Sequence, residues 1–522
     1  MRPTETNIWS PNALRRSPNN FSSLTYLLFN NDGAHVPAQR PAMTTIENKK
    51  NYKEALRHRV FCVVRDIVGE TGQPAFVIGG FVRDLLLGIP SQDIDIVVQG
   101  SGIDLARAVH ERFRGSKLSV FKNFGTAQVK MGPAEVEFVG ARKESYRSDS
   151  RKPIVEDGTI DDDQKRRDFT INALALSLNP DTYGDIVDPF GGIDDLQNGI
   201  IRTPLDPEVT FSDDPLRMLR GIRFATRLQF AIADETLEGM SRMAPRIEII
   251  SQERVTDELM KSMETAAAPS LTWKLLDKVG LLQYILPELS ALKGVEKRGR
   301  FAHKDVFYHT MQVLDGVAAQ SDDVWLRWAA LFHDIGKPRT KRFEDGTGWT
   351  FRNHNYVGAK MLPKIFTRMK LPLGEPLKFV QKMVNLHMRP IVLSEDVVTD
   401  SAVRRVLFEA GDDVEKLMTL CECDITSRNE DKVQRYLRNF KIVRRKMKEI
   451  EEKDHVRNFQ PPITGEEIMR TFGIPPSHPV GVIKDAIKEA ILDGVIHNDY
   501  DEARQLMISE AAKLGLTPVG EQ

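Results

Sequence analysis

The chain has 522 residues, 73 basic against 74 acidic side chains, a formal net charge of -1 and three cysteines. At about 150 residues per domain, a chain this long divides into three or four units. The charge balance excludes a general positive field, so a nucleic-acid partner must be held by local patches; three thiols exclude a disulfide framework and point to the cytosol; and no run of 18 apolar residues marks a membrane span.

Residues 1–42 are rich in Asn, Pro and Ser, with only Glu5 and Asp32 as acids, the composition of a disordered extension. Leu24 to Phe29 is too short for a signal-peptide core; a transit peptide and a start at Met43 both stay open. From Asn51 to Val68 the apolar spacing is helical, and Gly69 to Pro74 breaks it. Ala75 to Ile78 predicts a strand leading into Gly79-Gly80, followed by a short amphipathic segment, Phe81 to Leu87, and a second strand, Ile94 to Val98. Asp93 and Asp95 share one face at the start of that strand. Two such carboxylates suit Mg²⁺, which takes carboxylate and phosphate oxygens, and the bare N–H groups of Gly79 and Gly80 at a helix start favour anions. Alone, Asp93-Ile94-Asp95 reads as the polar edge of an alternating strand. The metal reading requires partners further along.

Ile103 to Phe113 predicts a helix, Val120 to Val129 a strand and turn, and Val136 to Ala141 a further strand whose start puts Glu135 and Glu137 on one face. One of these two is a candidate third carboxylate. Glu144 to Asp163 has almost no apolar content and predicts a mobile surface loop. Arg166-Arg167-Asp168-Phe169-Thr170-Ile171-Asn172-Ala173 then opens an apolar helix through Leu178. Two arginines there can grip a triphosphate, and Asp168 or Asn172 can bond a ribose hydroxyl; a solvated helix start is the alternative. Asp188 to Gly192 is a turn, and Asp213-Asp214-Pro215-Leu216-Arg217 starts a helix with Arg217, Arg220 and Arg223 at three-residue spacing.

These blocks, GG-x-VRD-x-LLG with DxD, RRDFTINA, Asp188 to Leu196 and DD-x-x-R followed by LRGIRFA, resemble in content and order the class II nucleotidyltransferases, which include tRNA CCA-adding enzymes and bacterial poly(A) polymerases. The resemblance covers about Ala75 to Phe230. It implies that Asp93 and Asp95 hold two Mg²⁺ ions, with Glu137 as third acidic residue, and that Gly79, Gly80 and Arg83 lie against phosphate. It further implies that Arg167, Asp168 and Asn172 contact the incoming nucleotide and that Asp214 and Arg217 recognise ATP and CTP by their Watson–Crick edges; Arg220 and Arg223, at three-residue spacing after Arg217, are further nucleotide-binding candidates. The family's usual Glu-Asp opening is Asp213-Asp214 here. No Arg-rich, His-containing segment of the poly(A) polymerase kind lies between Phe121 and Glu137, which favours tRNA as acceptor. The full-length segment Glu144 to Asp163 favours CCA over CC-only addition.

Of eleven histidines, none lies between Glu111 and Ala302 and five fall between His303 and His387. His309, His333-Asp334 in ALFHDIGK and Asp424 resemble the H…HD…D series of HD phosphohydrolases, with His354 and His387 as a second metal position. Imidazoles and carboxylates suit Mn²⁺, Ni²⁺, Fe²⁺ or Mg²⁺, and water between two such ions attacks phosphate esters. His303 reads as a surface or capping residue. Lys432, Arg435, Arg438, Lys441 and Arg445 form a basic helical stripe opposite an apolar one, either a solvated face or a track for tRNA phosphates. Thr464 and Glu467 form a capping box opening an end domain, and Ile483 to Leu492 is another helix.

The expected architecture is α+β and multidomain. A disordered or targeting extension (1–48) precedes a polymerase-beta-like nucleotidyltransferase αβ head (49–200), a helical neck binding RNA and nucleobase (201–290), an HD domain (291–430) and a helical tail (431–522). The expected activity is CCA addition to tRNA 3′ ends from CTP and ATP in the cytoplasm. The alternatives are an A-adding or poly(A) polymerase, and an HD phosphohydrolase acting on 2′,3′-cyclic or 3′-terminal phosphates. Oligomeric state is not legible.

Overall fold

The computed structural model describes residues 50–147, 150–299, 301–302, 305–395, 399–426, 430–454, 457 and 459–519. The extension 1–42 and His303 lie outside them. The chain divides into two compact units: residues up to 217 with 228–240, and 218–227 with 241 onward.

The first unit is built on a seven-stranded sheet in the order β3-β4-β5-β2-β1-β8-β9. Strand β1 (Ala75–Ile78) is buried at every residue, as a central strand must be, and pairs antiparallel with β2 (Asp93–Val98) and with β8 (Ala175–Ser177). On its other side β2 runs parallel to β5 (Ala134–Gly140), with Asp93 opposite Glu135 and Asp95 opposite Glu137. Strands β3 (Lys117–Phe121) and β4 (Thr126–Met131) extend that edge, and β9 (Ile186–Val187) closes the other. Helix α1 (Arg59–Thr71) ends at Gly72, whose φ of 68° supplies the left-handed cap. It follows a short 3-10 turn at Lys53–Ala55, so the helical spacing from Asn51 holds two elements. Helix α2 (Gly80–Leu86) starts at the glycine pair, and α3 (Gly102–Arg112) is capped by Ser101 Oγ accepting from Asp104 N at 3.2 Å.

Two expectations are corrected. Glu144 to Asp163 is not a structureless loop. Its backbone forms a hairpin of β6 (Arg142–Arg147) and β7 (Ser150–Asp157), then helix α4 (Ile160–Lys165), whose start carries a complete Thr159–Asp162 capping box. A two-stranded ribbon buries little, so low apolar content does not argue against it. Nor does the RRD block open a helix. Thr170–Asn172 is a single 3-10 turn, and Ala175–Ser177 is strand β8, buried throughout. A short apolar run fits a buried strand as well as a helix, and pairing with β1 decides it here.

Helix α5 (Gly192–Asn198) is entered through Gly191 at φ 69°, and Asp188 accepts from the N–H groups of Gly192 (2.7 Å) and Ile193 (2.9 Å), the reason for the turn residues at 188–192. Helix α6 (Pro207–Asp213) precedes α7 (Leu216–Leu228).

The second unit is mainly helical. Helices α8 (Val306–Ala318) and α9 (Val324–Phe332) are each capped by an aspartate, Asp305 and Asp323. After the short α10 (Lys337–Thr340) come α11 (His354–Met369), α12 (Glu375–Leu386) and α13 (Val414–Asp424). The core includes Trp273 and Trp328, fully buried and edge to face at 5.8 Å. Helix α14 (Glu430–Asp454) is longer than the predicted stripe. At α15 (Gly465–Phe472) Thr464 accepts from Glu467 N at 3.2 Å, the first half of the predicted box. Helix α16 (His478–Asp493) ends at Gly494, φ 72°.

Candidate active site and metal centre

In the first unit, alternation along β2 buries Ile94 and Ile96 and leaves Asp93 exposed and Asp95 partly covered on the opposite face. Parallel register sets Glu137 beside Asp95. Of the two glutamates predicted as alternatives, Glu135 is engaged by Lys130 Nζ (2.6 Å) and Gln128, whereas Glu137 faces the aspartates. Burial pushes the Asp95 carboxyl up to about 6, against the pull of Arg167 and with the push of Asp93, Glu137 and Asp163. Such a cluster is short of positive charge, which is the condition a divalent cation relieves. These carboxylates therefore fit a metal, although, unlike the histidine sets of the second unit, they do not bring three ligand atoms within 4.8 Å of one another.

Gly79 stands where Arg167 passes. Its φ is 84°, and a Cβ there would lie 2.7 Å from Arg167 Nη1 and 3.6 Å from Asp95 Oδ2. Arg167 is aimed by Asp163, which is fully buried: one oxygen accepts from Arg167 Nε (3.2 Å) and Nη2 (3.1 Å), the other from Arg166. Gly80 begins α2 one residue on.

Arg83 departs from its expected place against phosphate. It is buried, with Nε on Asp84 Oδ1 (2.8 Å) and Nη1 on Asn172 Oδ1 (2.7 Å), while Asn172 Nδ2 donates to Asp168 Oδ1 (3.0 Å). The guanidinium thus ties α2 to the RRD block. Asp214 Oδ1 caps α7 through Leu216 N (3.2 Å), and Arg217 Nη2 donates to the carbonyl of Arg166 at 2.6 Å. Base-recognition and phosphate candidates are thereby linked by backbone. Arg220 lies over Phe224, and Arg223 is buried on Glu258 Oε2 at 2.6 Å. An arginine spent on a buried carboxylate is not available to a nucleotide, which corrects the expectation for Arg223.

In the second unit six predicted ligands converge. His309, His333 and Asp424 bring one ligand atom each within 4.8 Å of the others, and so do Asp334, His354 and His387. Asp334 joins the sets: Oδ2 is 3.3 Å from His333 Nε2 and Oδ1 is 3.3 Å from His354 Nε2. Every ring has Nδ1 against an oxygen, the carbonyls of Ala330, Phe351 and Val384 for His333, His354 and His387 and Thr426 Oγ1 for His309, at 2.7–2.8 Å. Donation from Nδ1 leaves each Nε2 lone pair facing inward, the arrangement metal-bound histidines use. Burial opposes charge on His333, yet Asp334 and Asp424 raise it to about 10; burial and His333 lower His387 to about 4. Protons stand in here for cationic charge, so this donor set also fits divalent ions.

Family models match in three successive segments: a poly(A) polymerase head domain over residues 75–202, a probable RNA- and SrmB-binding site of polymerase A over 229–293, and an HD domain over 306–429. An A-adding tRNA nucleotidyltransferase of Deinococcus radiodurans is 32% identical over 430 residues, covering 80% of this chain and 91% of that protein. The chain belongs to the class II tRNA nucleotidyltransferases. A multifunctional CCA protein of Burkholderia vietnamiensis is 37% identical over 275 residues, 51% of this nucleotidyltransferase and 64% of that relative. A Thermotoga maritima CCA-adding enzyme complexed with tRNA shares the fold, with TM-score 0.56 and 22% identity, covering 89% of this chain and 98% of that one.

Three residues of this nucleotidyltransferase escaped the sequence reading. Asp163 sits three and four residues before Arg166 and Arg167 on a helical stretch, a spacing that announces ion pairs. Lys337, whose Nζ is 2.5 Å from Asp334 Oδ2, follows the HD pair by one turn. Thr426 lies two residues beyond Asp424 and carries no signal of its own. Of the basic stripe, Arg435, Arg438, Lys441 and Arg445 are exposed on α14; the side chain of Lys432 lies outside the described residues.

Proposed function

We propose that the protein is a template-independent enzyme adding CCA to tRNA 3′ ends from CTP and ATP. The observation that carries this reading is the gathering of Asp93, Glu137 and Arg167 around Asp95, beside the side-chain-free Gly79. Asp93, Asp95 and Glu137 would hold divalent ions, Mg²⁺ on this reading, whose Lewis acidity would lower the pKa of an RNA 3′-hydroxyl and neutralise a triphosphate. Arg167, aimed by Asp163, donates to phosphate oxygens, and Asp168 with Asn172 meets the ribose. Asp214 accepts from the exocyclic amino group that C and A share, and Arg217 donates to a ring nitrogen or carbonyl. Arg83 holds this assembly in place. The exposed Arg435, Arg438, Lys441 and Arg445 form a track for tRNA phosphates.

Incubating the protein with tRNA lacking its 3′ end, each NTP and Mg²⁺, and sequencing the product, tests this. Ordered addition of C, C and A is expected. Lack of C incorporation makes it an A-adding enzyme like its Deinococcus relative, and unimpaired activity of Asp93→Ala Asp95→Ala overturns the proposal.

A second activity is favoured by the paired metal-ligand sets of the other unit: hydrolysis of 2′,3′-cyclic or 3′-terminal phosphates, with Mn²⁺, Ni²⁺, Fe²⁺ or Mg²⁺ as the metal. His333→Ala Asp334→Ala should abolish hydrolysis and leave transfer intact. The order of the three family matches supports the succession of head (49–200), neck (201–290) and HD domain (291–430), with a tail (431–522) following. The cytosol is the proposed compartment: Cys62, Cys421 and Cys423 are all free, and no described helix is long and apolar enough to cross a membrane.

A further inference from the structure

Beside the HD centre, α11 borders a groove of about 200 Å³ whose lining includes Glu288, Arg339, Val357, Lys360, Met361 and Lys364. His354, Val357, Met361 and Lys364 succeed one another at three- and four-residue spacing, so the groove follows the helix face that begins with a metal-ligand candidate. At 1.5 Å per residue, Val357 stands about 4.5 Å and Lys364 about 15 Å along the axis from His354. Arg339 reaches the groove from α10, which follows directly on His333-Asp334. Gly336 lets α10 pass against α11: a Cβ there would collide with the backbone of His354 and Gly358.

The groove's charge is unbalanced. Its acid, Glu288, is held by Arg368 on both oxygens, at 2.7 and 2.5 Å; burial raises its pKa, but Arg368, helped by the charge of Arg339, brings it below the usual range. Neighbouring cations are likewise paired, Lys337 with Asp334, Arg352 with Glu344, Lys370 with Glu253 and Lys382 with Asp413. Arg339, Lys360 and Lys364 have no ion pair among the described residues; Lys360 lies over the Tyr356 ring at 4.3 Å. Lys360 and Lys364, one turn apart on α11, and Arg339 on α10, with a single neighbouring acid that Arg368 already holds, suit a run of phosphates better than one phosphate group.

We infer that this groove is a phosphate subsite of the HD centre, which makes the substrate of that centre an oligonucleotide 3′ end rather than a mononucleotide. The inference rests on the hydrolase reading above. The terminal cyclic phosphate occupies the His–Asp centre, and the phosphates on its 5′ side lie on Arg339, Lys360 and Lys364. In the reaction a water oxygen bonds to phosphorus, the bond from phosphorus to one ribose oxygen breaks, and a water proton ends on that ribose hydroxyl.

The test compares the full-length protein with its Arg339→Gln Lys360→Gln Lys364→Gln variant, in Mn²⁺, on 2′,3′-cyclic AMP and on a trinucleotide ending in the same cyclic phosphate. All three positions are exposed, so the fold should tolerate the changes. For the trinucleotide, whose two internucleotide phosphates lie 5′ of the cyclic one, KM should rise tenfold or more with kcat unchanged, and the slope of log(kcat/KM) against log salt should shrink by about 1.4. Activity on cyclic AMP should hold. An unchanged trinucleotide KM, or equal losses on both substrates, overturns the subsite while the hydrolase reading stands. If the unaltered protein hydrolyses neither compound, the hydrolase reading fails and this inference fails with it.

Discussion

Asp163 holds Arg167 through a single carboxylate oxygen, which accepts from Nε at 3.2 Å and from Nη2 at 3.1 Å, in a site where Asp163 itself is wholly buried. Its other oxygen serves Arg166. Asp163→Asn keeps the shape and removes the charge, leaving two arginines without their counter-ion. Stability should fall by roughly 3 kcal/mol. The KM for nucleotide should rise at least tenfold, read by incorporation assays alongside melting curves. An unchanged KM would show that Arg167 needs no such aim.

Gly79→Ala tests the passage of Arg167 from the opposite side. A φ of 84° strains any residue with a Cβ by about 1–3 kcal/mol, and the new methyl displaces Nη1. Because Nη1 ends a flexible side chain, the fold should survive and transfer should not. Near-normal incorporation by a folded Gly79→Ala protein would remove Arg167 from the site.

Asp95 makes magnesium stabilisation depend on pH. Its folded pKa, about 6, lies above the ordinary 3.8, so its contribution to stability is fully present below 3.8 and lost as pH rises through 6. The loss, about 3 kcal/mol, is what a bound cation restores. The rise in melting temperature on adding Mg²⁺ should therefore be larger at about pH 8 than at about pH 5. Asp95→Asn should level the two. Equal shifts at both pH values in the unaltered protein would contradict this.

Arg217→Gln should relax base choice. One guanidinium pairing is worth about 1–3 kcal/mol of discrimination, so the preference for CTP and ATP over UTP and GTP should drop roughly tenfold to a hundredfold. Competition assays with all four nucleotides measure the ratio. A uniform loss across the four would assign Arg217 to phosphate instead.

The strands carrying the aspartates were legible because a glycine pair and strict alternation marked them. Ala175–Ser177 was not, since its pairing with β1 lies a hundred residues away and leaves no local period. The 142–157 hairpin was missed because its polarity matches a loop. In the HD unit the ligands were readable from residue type, but their sorting into two sets depends on how separate helices meet. Arg83 and Arg223 mislead for a related reason: their partners, Asn172 and Glu258, lie 89 and 35 residues along the chain.

The acceptor for Arg217 Nη2 is the main-chain carbonyl of Arg166. Every amino acid offers that oxygen, so mutation at position 166 can alter charge without deleting the anchor of the proposed base reader. Drift there should affect how tightly nucleotides are held before it affects which ones are accepted. Errors in the added letters would then arise from changes that reroute the backbone between Asp163 and Thr170.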